Sequence, residues 1–376
     1  MTEKKSKKKP TLKDQLNEVN EQVVEEKDKF LRLFAEFDNY RKRTSKERLE
    51  LFKTASQELE SNKVMNAWAF YDWANSVYPL VISTAVFPIY YGTLFIDSDY
   101  VEVFGINYKN TALIQHVTTL VFIFLAFLVP LMSGIADFLG NKKNFMKFFV
   151  YTGSFSCMGL YFFDLNNIYL GLFFYFFALF SFWASLVFYN SYLPDIALPE
   201  KQDNVSALGY SYGYVGSVIL LLTNLFMINK PEFFGFSNSE QGSVDAMKVS
   251  FLTVGLWWII FSQYTFYYLP QKKNNVNKND VFKKSFLFSG FNKLIQVWKL
   301  MKKDLSVRRF LIAFFTFSTA VQTIILIATY FGDQEIIWGK GEKLFGLILS
   351  MLLIQLIEIF CFVNKILTSL KIIQKI

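Results

Sequence analysis

Long apolar runs without a polar face constrain this chain more than any other feature. The segments LVFIFLAFLVPLM (120–132) and LGLFFYFFALFSFWASLVF (170–188) carry no charge over their whole length. A buried helix of a soluble protein keeps a polar face at a period near 3.6 residues, and these segments have none. About 20 mostly apolar residues suffice to cross the hydrocarbon layer of a bilayer. The runs therefore predict membrane-spanning helices.

Eight such runs follow a densely charged amino-terminal region. Hydrophobic residues make up 53% of the chain and charged residues only 19%, whereas soluble domains have about 25% charged residues. We predict an all-α membrane protein with eight spans. The runs centre on 74–95, 113–135, 146–163, 167–190, 207–228, 249–269, 310–331 and 344–363.

The positions of Lys and Arg predict the orientation of these spans, because positively charged loops remain on the cytoplasmic side. Basic residues crowd the amino-terminal region, the segment GNKKNFMK (140–147) and the long segment 270–309. The alternate loops carry fewer bases. This pattern predicts a multi-pass protein of a bacterial inner membrane with a cytoplasmic amino terminus. The formal net charge of +8 is then mostly a topology signal, and we expect no nucleic-acid partner.

Four regions follow from this layout. We expect a charged amino-terminal region (1–62), a six-span half (63–270), a basic cytoplasmic linker (271–309) and two further spans with an aberrant tail (310–376). Apolar residues of the linker recur at helical spacing between lysines, which predicts a helix lying on the inner membrane face. Six spans followed by a long basic linker resemble the layout of major facilitator transporters. Members of that superfamily have two six-helix halves that rock about a site near the midplane.

A loop motif supports this resemblance. GIADFLGNKK (134–143) resembles the signature between the second and third spans of the major facilitator superfamily. The resemblance implies that Asp137 anchors a charge network holding the cytoplasmic gate, with Lys142 and Lys143 as its bases. An ordinary solvated loop is the alternative.

Four further segments resemble the vacuole-effluxer-like branch of that superfamily. They are NAWAFYDWANSVYP (66–79), FYNSYLPDIA (188–197), VSALGYSYGYVGSVILLL (205–222) and VQTIILIATYFG (321–332). The resemblance runs from about residue 64 to about residue 356. Eukaryotic members of the branch export amino acids from the vacuole, which implies a small polar solute here. In FFTFSTAVQT (314–323) the chain lacks an acidic residue that the family pattern has before Val-Gln-Thr.

Asp72 is the most informative single residue. A charge at the centre of a spanning helix costs about 2.5–3.5 kcal/mol on insertion scales, so such residues usually mark function. We expect Asp72 near the inner end of the first span, with a gating or proton-coupling role. An interfacial acid beside an aromatic belt is the alternative. Four deeper polar residues are candidates for solute contact: Asn75, Tyr78, Asn190 and Gln322. Interhelical hydrogen bonding is the alternative role for them.

Three glycines share one face of the fifth run. Gly209, Gly213 and Gly216 have the small-residue spacing that lets two membrane helices approach closely. They do not form a dinucleotide loop, because no strand precedes them. No catalytic triad, metal cluster or nucleotide loop occurs in the sequence. We therefore expect neither an enzyme nor a cofactor or metal.

The amino-terminal region predicts a second function class. KDKFLRLFAEFDNYRKRTSKERLELFKTASQELE (27–60) resembles the helical stalk of GrpE, the nucleotide-exchange partner of DnaK-type chaperones. Apolar residues there recur at three-four spacing, which favours a coiled coil and self-association. The alternative function is thus a GrpE-like co-chaperone fragment tethered to a membrane anchor. The tail after residue 357 departs from the transporter pattern, so we expect a truncated or chimeric copy with eight of twelve spans.

Overall fold

Helices dominate the computed structural model, which describes residues 57–95, 99–271 and 305–335 together with Ile295, Trp298 and Lys299. The predicted coiled coil, most of the linker helix and the eighth span with its tail lie outside the described residues. The chain divides into two units, Met1–Asn62 and Lys63–Ile376, and the following description concerns the second.

The elements follow one another with short connections. They are α1 (Gln57–Asn75), a π-helical segment (Tyr78–Val86), α2 (Phe87–Thr93), β1 (Tyr100–Val103), β2 (Ile106–Lys109), α3 (Asn110–Leu139), α4 (Lys142–Gly159), α5 (Ile168–Asn190), α6 (Leu193–Ile196), α7 (Pro199–Asn229), α8 (Glu240–Tyr268) and α9 (Leu305–Glu335). Short 3-10 turns occupy Leu160–Phe162 and Pro231–Phe234.

Four helices in the described part of the chain are long and apolar enough to cross a membrane. They span Asn110–Ala136, Ile168–Ile196, Pro199–Asn229 and Glu240–Tyr268. Large apolar side chains on these helices point away from the bundle, as at Phe127 (65% exposed) and Phe173 (54% exposed). In water such a surface would be unfavourable, whereas lipid tails accept it. The protein is therefore an integral membrane protein.

The first predicted span (74–95) is not one regular helix. Helical structure begins at Gln57, a turn interrupts it at Ser76, and a π-helical segment follows. Pro79 has no backbone N–H and cannot donate to the Asn75 carbonyl one turn earlier, so the α-helical ladder is broken there. Within the π-helical segment, the Thr84 hydroxyl donates to the carbonyls of Pro79 (3.0 Å) and Leu80 (2.8 Å). π-Helical bulges are rare and frequently lie at functional sites.

A β-hairpin lies in the connection between the first and second predicted spans. Strands β1 and β2 pair antiparallel, with Val103 opposite Ile106. Phe104 and Gly105 between them have φ values of 54° and 76°, and two positive φ values in a two-residue loop suit the twist of a hairpin. This end of the bundle is called the hairpin end below.

Helix α3 connects the hairpin end to the opposite end of the bundle. It finishes at Gly140, whose φ of 63° is the left-handed conformation common after a helix. Near it, the Gln271 amide donates to Asn141 Oδ1 at 2.7 Å, where the predicted linker begins. We call this the linker end.

The core surrounds the first helical stretch, which consists of α1, the π-helical segment and α2. Helix α4 packs against α5 and α8, α3 packs against α5, and α7 packs against α8. Helix α8 also bonds to carbonyls of α1: Trp257 Nε1 donates to Trp73 O (2.9 Å) and Thr265 Oγ1 donates to Ala67 O (2.8 Å). The first stretch is therefore held on several sides by its neighbours.

Candidate functional site

A buried carboxylate defines the site. Asp72 is 9% exposed, and the Tyr189 hydroxyl donates to its Oδ2 at 3.0 Å. Within the described residues, no Lys, Arg or His lies at ion-pair distance from this carboxylate. The ring of Tyr71 lies beside this pair, with its centroid 4.8 Å from that of Tyr189. An acid buried without a cation is costly, which favours a functional role.

Aromatic side chains fix the pair in place. The rings of Trp68 and Tyr189 stack with centroids 4.2 Å apart, and Trp68 Nε1 donates to the Tyr189 carbonyl at 2.9 Å. The Tyr71 hydroxyl donates to Ser185 Oγ at 3.0 Å. Trp68 and Tyr71 are buried inside the bundle, whereas belt residues would face the headgroups. This burial disfavours the interpretation of Asp72 as part of an aromatic belt.

Glycines of α7 make room for the pair. A Cβ atom at Gly209 would lie 2.6 Å from Asp72 Oδ2, and one at Gly213 would lie 2.4 Å from Ser76 Oγ. A Cβ atom at Gly216 would lie 2.8 Å from the Trp73 ring. All three glycines thus face α1, which approaches α7 so closely that a methyl group would collide with it.

The four solute-contact candidates have different surroundings. Asn75 and Tyr78 are buried, and their Nδ2 and Oη atoms have no hydrogen-bond partner. Asn190 is exposed at the end of α5. Gln322 lies in α9, and its side chain lies outside the described residues. Two of the four, Asn75 and Tyr78, are therefore buried, and they follow Asp72 by three and six residues.

Two gating candidates, Lys142 and Lys143, bind partners at the linker end that the sequence did not indicate. Lys142 Nζ forms an ion pair with Asp195 Oδ2 at 3.0 Å. Lys143 Nζ donates to the carbonyl of Leu269, at the end of α8, at 2.7 Å. Burial, and secondarily the charge of Lys147, lower the pKa of Lys143. Asp137 lies in the last turn of α3, and its side chain lies outside the described residues.

A cavity of about 1020 Å³ lies between α3, α5 and α9. Thr118, Trp183 and Arg308 are among its lining residues. Of the solute-contact candidates whose side chains the structure describes, Asn75, Tyr78 and Asn190 do not line it. Among the described residues, no group of three or more His, Cys, Asp or Glu is placed to hold a metal ion.

Two residues of this site were missed in the sequence. Tyr189 and Asp195 both lie in the quoted segment FYNSYLPDIA (188–197), but only Asn190 was selected there. No signal in the sequence distinguished Tyr189, because its inward position is defined by the contact of α5 with α1. The signal for Asp195 was charge, since it is the acid nearest to the end of α5.

Long apolar helices with large apolar side chains on their outer surface define an integral membrane protein. The chain belongs to the family described as vacuole effluxer Atg22-like, whose profile matches residues 60–375. This match continues past residue 356, where the motifs recognised in the sequence ended. The chain is thus related to transporters of the major facilitator type.

Curated relatives agree with this assignment. The chain is 32% identical over 277 residues to an uncharacterized MFS-type transporter, YxiO, of Bacillus subtilis, covering 72% of this chain and 60% of that protein. It is 28% identical over 174 residues to autophagy-related protein 22 of Vanderwaltozyma polyspora, covering 41% of this chain and 31% of that protein. The chain therefore spans less than two thirds of the length of either relative.

A separate similarity concerns GrpE. Over 47 residues the chain is 51% identical to protein GrpE of Bacteroides fragilis, which covers 12% of this chain and 24% of that protein. No solved structure matches the chain.

Proposed function

We propose that this protein carries a small polar solute across a bacterial membrane by alternating access, with Asp72 as the coupling residue. Amino acids are the first solute class to test, because the segments around Asp72 and Tyr189 resemble the vacuole-effluxer-like branch, whose eukaryotic members export amino acids. The observation that carries the proposal is the buried Asp72 carboxylate, which has a tyrosine donor and no cation. Such an acid can bind and release a proton as its surroundings change.

The ion pair of Lys142 and Asp195 supplies the gate in this proposal. It ties the first residue of α4 to the short helix α6 that follows α5. Lys143 ties the same first turn of α4 to the end of α8 through the Leu269 carbonyl. A change between inward-open and outward-open states has to rearrange these contacts, because they join three separate helices.

Solute binding can be tested on the chain as it stands. Thermal unfolding of the detergent-purified protein should shift upward with a bound solute, since a ligand at 100 times its Kd stabilises the folded state by about 2.7 kcal/mol. Each amino acid is added singly, with a sugar and a nucleoside as solutes of other classes. A shift with sugars alone would contradict the amino-acid assignment.

Orientation gives a second test. Reporter fusions after Asp99, Lys230 and Gly339 should report outside, and fusions after Lys143, Lys278 and Ile376 should report inside, because the basic segments stay cytoplasmic. Alkaline phosphatase and green fluorescent protein are suitable reporters, since each is active or fluorescent on one side only. An inside signal at Lys230 would contradict the eight-span arrangement.

The GrpE similarity supports a second candidate function, nucleotide exchange on a DnaK-type chaperone. We expect a peptide of residues 10–60 to be helical in a concentration-dependent way, because its apolar seam is buried only on pairing. It should not accelerate nucleotide release from DnaK, since it matches about a quarter of GrpE. Circular dichroism and a fluorescent nucleotide measure the two properties. Clear exchange activity would favour the co-chaperone function.

The genomic reading frame discriminates further between the two functions. Sequencing across the codons for residues 61 and 357 shows whether one frame runs through both junctions. A single frame through residue 61 supports a tethered stalk on a carrier. If two reading frames meet at residue 61, the GrpE-like part and the carrier part belong to separate proteins, and each function is assigned to its own part.

A further inference from the structure

We propose that the tip of the β-hairpin is a membrane anchor, in which the ring of Phe104 inserts into the lipid at the hairpin end of the bundle. The partner of this apolar tip is thus the boundary between the lipid headgroups and the acyl chains. The inference is independent of the carrier function proposed above, because it concerns how the connection between the first two predicted spans is held.

The conformation of Phe104 is unusual in two respects. It is the only non-glycine residue with a positive φ in the described part of the chain, at 54°, and this conformation is strained for a bulky side chain. Its side chain is also 84% exposed, so the protein covers little of the ring. Glycine would adopt the same turn without strain. A strained and uncovered aromatic residue points to a binding partner outside the bundle.

The two faces of the hairpin differ in polarity. Residues that lie directly opposite each other in an antiparallel pair share a face of the hairpin. One face is apolar and is formed by the pairs Val101–Tyr108 and Val103–Ile106. The other face is mostly polar and is formed by the pairs Tyr100–Lys109 and Glu102–Asn107. The hairpin is therefore amphipathic.

The apolar face extends past the edge of the bundle. Val101 and Tyr108, which are farther from the tip, pack against the core. Val103 is buried, whereas Ile106 directly opposite it is 54% exposed. The edge of the bundle therefore lies near the tip, and the side chains of Phe104 and Ile106 project beyond it.

A contact with α5 fixes the level of the tip relative to the membrane. The Phe104 N–H donates to the Tyr169 hydroxyl at 3.1 Å, and the two ring centroids lie 5.2 Å apart. Tyr169 is the second residue of the membrane-spanning segment Ile168–Ile196. It lies one helical turn before Phe173, which is exposed on the lipid-facing surface of the bundle. The tip is therefore continuous with this surface and lies where the span begins.

Other exposed aromatic residues lie at the same end of the bundle. Phe162, in the connection before α5, and Phe233, in the connection before α8, are both exposed. Aromatic rings are favourable at the boundary between headgroups and acyl chains. The polar face of the hairpin remains in contact with water in this arrangement. Because a two-stranded hairpin is marginally stable alone in water, lipid at the tip supplies support that the bundle does not.

Spin-label depth measurements on the full chain in lipid nanodiscs test the anchor. Cys157 and Cys361, the two native cysteines, are replaced by alanine, and a label is attached through Phe104→Cys. Oxygen concentrates in lipid and a nickel chelate remains in water, so the ratio of their effects on the label reports its depth. Asn107→Cys, on the polar face of the same hairpin, is the matched control. The ratio should be severalfold higher at residue 104 than at residue 107.

Backbone amide hydrogen exchange gives a second readout that needs no label. Phe104→Gly removes the ring together with the strain. Loss of an anchor should speed exchange in β1 and β2 severalfold in nanodiscs, and Phe104→Trp should restore protection, since Trp also favours the interface. Exchange that stays at the parent rate or slows in Phe104→Gly would overturn the proposal, because relief of strain alone should stabilise the turn.

The label also distinguishes lipid from other partners. If the chelate reaches the label at residue 104 as freely as the label at residue 107, the tip lies in water and the proposal is wrong. A label shielded from both oxygen and the chelate would place the tip against protein. If that shielding rises with the number of chains in each nanodisc, the partner is a second copy of this chain. Either form of shielding would exclude lipid as the partner.

Discussion

Asp72→Asn is expected to abolish transport driven by a proton gradient and to leave counterflow, the exchange of solute without a driving force, at the parent level. Asn keeps the size of Asp and an oxygen that can accept from Tyr189, so folding and membrane insertion should persist. It removes the charge and the capacity to bind a proton. Because the chain spans 60% of the Bacillus relative, both modes are measured in an extended chain completed with the remainder of that relative.

Two variants serve as comparisons for this prediction. Asp99→Asn makes the same change at an exposed acid beside the hairpin and should change neither mode. Tyr189→Phe retains the carboxylate but removes its donor, and should reduce driven transport only partly. If Asp72→Asn keeps both modes at the parent level, Asp72 has no part in coupling.

Asp195→Lys is expected to slow counterflow strongly, because it replaces an ion pair with Lys142 by two facing cations. The pair is partly exposed, and such pairs contribute about 0–1 kcal/mol to stability, so unfolding should change little. The substitution is expected to change the rate of conversion between the inward-open and outward-open states, because this conversion has to break and remake the contact. Adding Lys142→Asp reverses the pair and should recover part of the rate.

A double-mutant cycle separates this contact from general charge effects. Lys201→Asp, an exposed site near the start of α7, is the control and should leave counterflow unchanged. Independent effects of Lys142→Asp and Asp195→Lys, with no recovery in the double variant, would exclude the ion pair as a gate.

The membrane character of the protein could be predicted because it depends on composition over long segments. Runs of about 20 apolar residues stand out whatever their neighbours are. A close approach of another helix to α7 was also predictable, since Gly209 and Gly213 are spaced about one helical turn apart and only small residues permit such close contact; that α1 is this helix was not. Both inferences need a single segment and no knowledge of its partners.

Features that depend on a partner or on local backbone geometry could not be predicted. Asn190 was chosen as an inward polar residue, but its neighbour Tyr189 faces Asp72, because adjacent residues of a helix point about 100° apart. The π-helical segment follows from Pro79 and from the bonds of Thr84, which the sequence alone does not show. The hairpin could not be predicted because Phe104 occupies a turn position with a positive φ, where glycine, Asn or Asp is usual.

Counterflow in vesicles containing the extended chain tests the carrier function most directly. Vesicles are loaded with unlabelled amino acids and diluted into a trace of the labelled mixture, with no ion gradient. We predict that label accumulates transiently inside, that the accumulation requires unlabelled solute within, and that it is absent from empty vesicles. The protein is shown to be folded and inserted in the same vesicles, and sugars and nucleosides are tested in the same way. If label enters no faster than into empty vesicles for any of these solutes, the assignment of this chain as a solute carrier is contradicted.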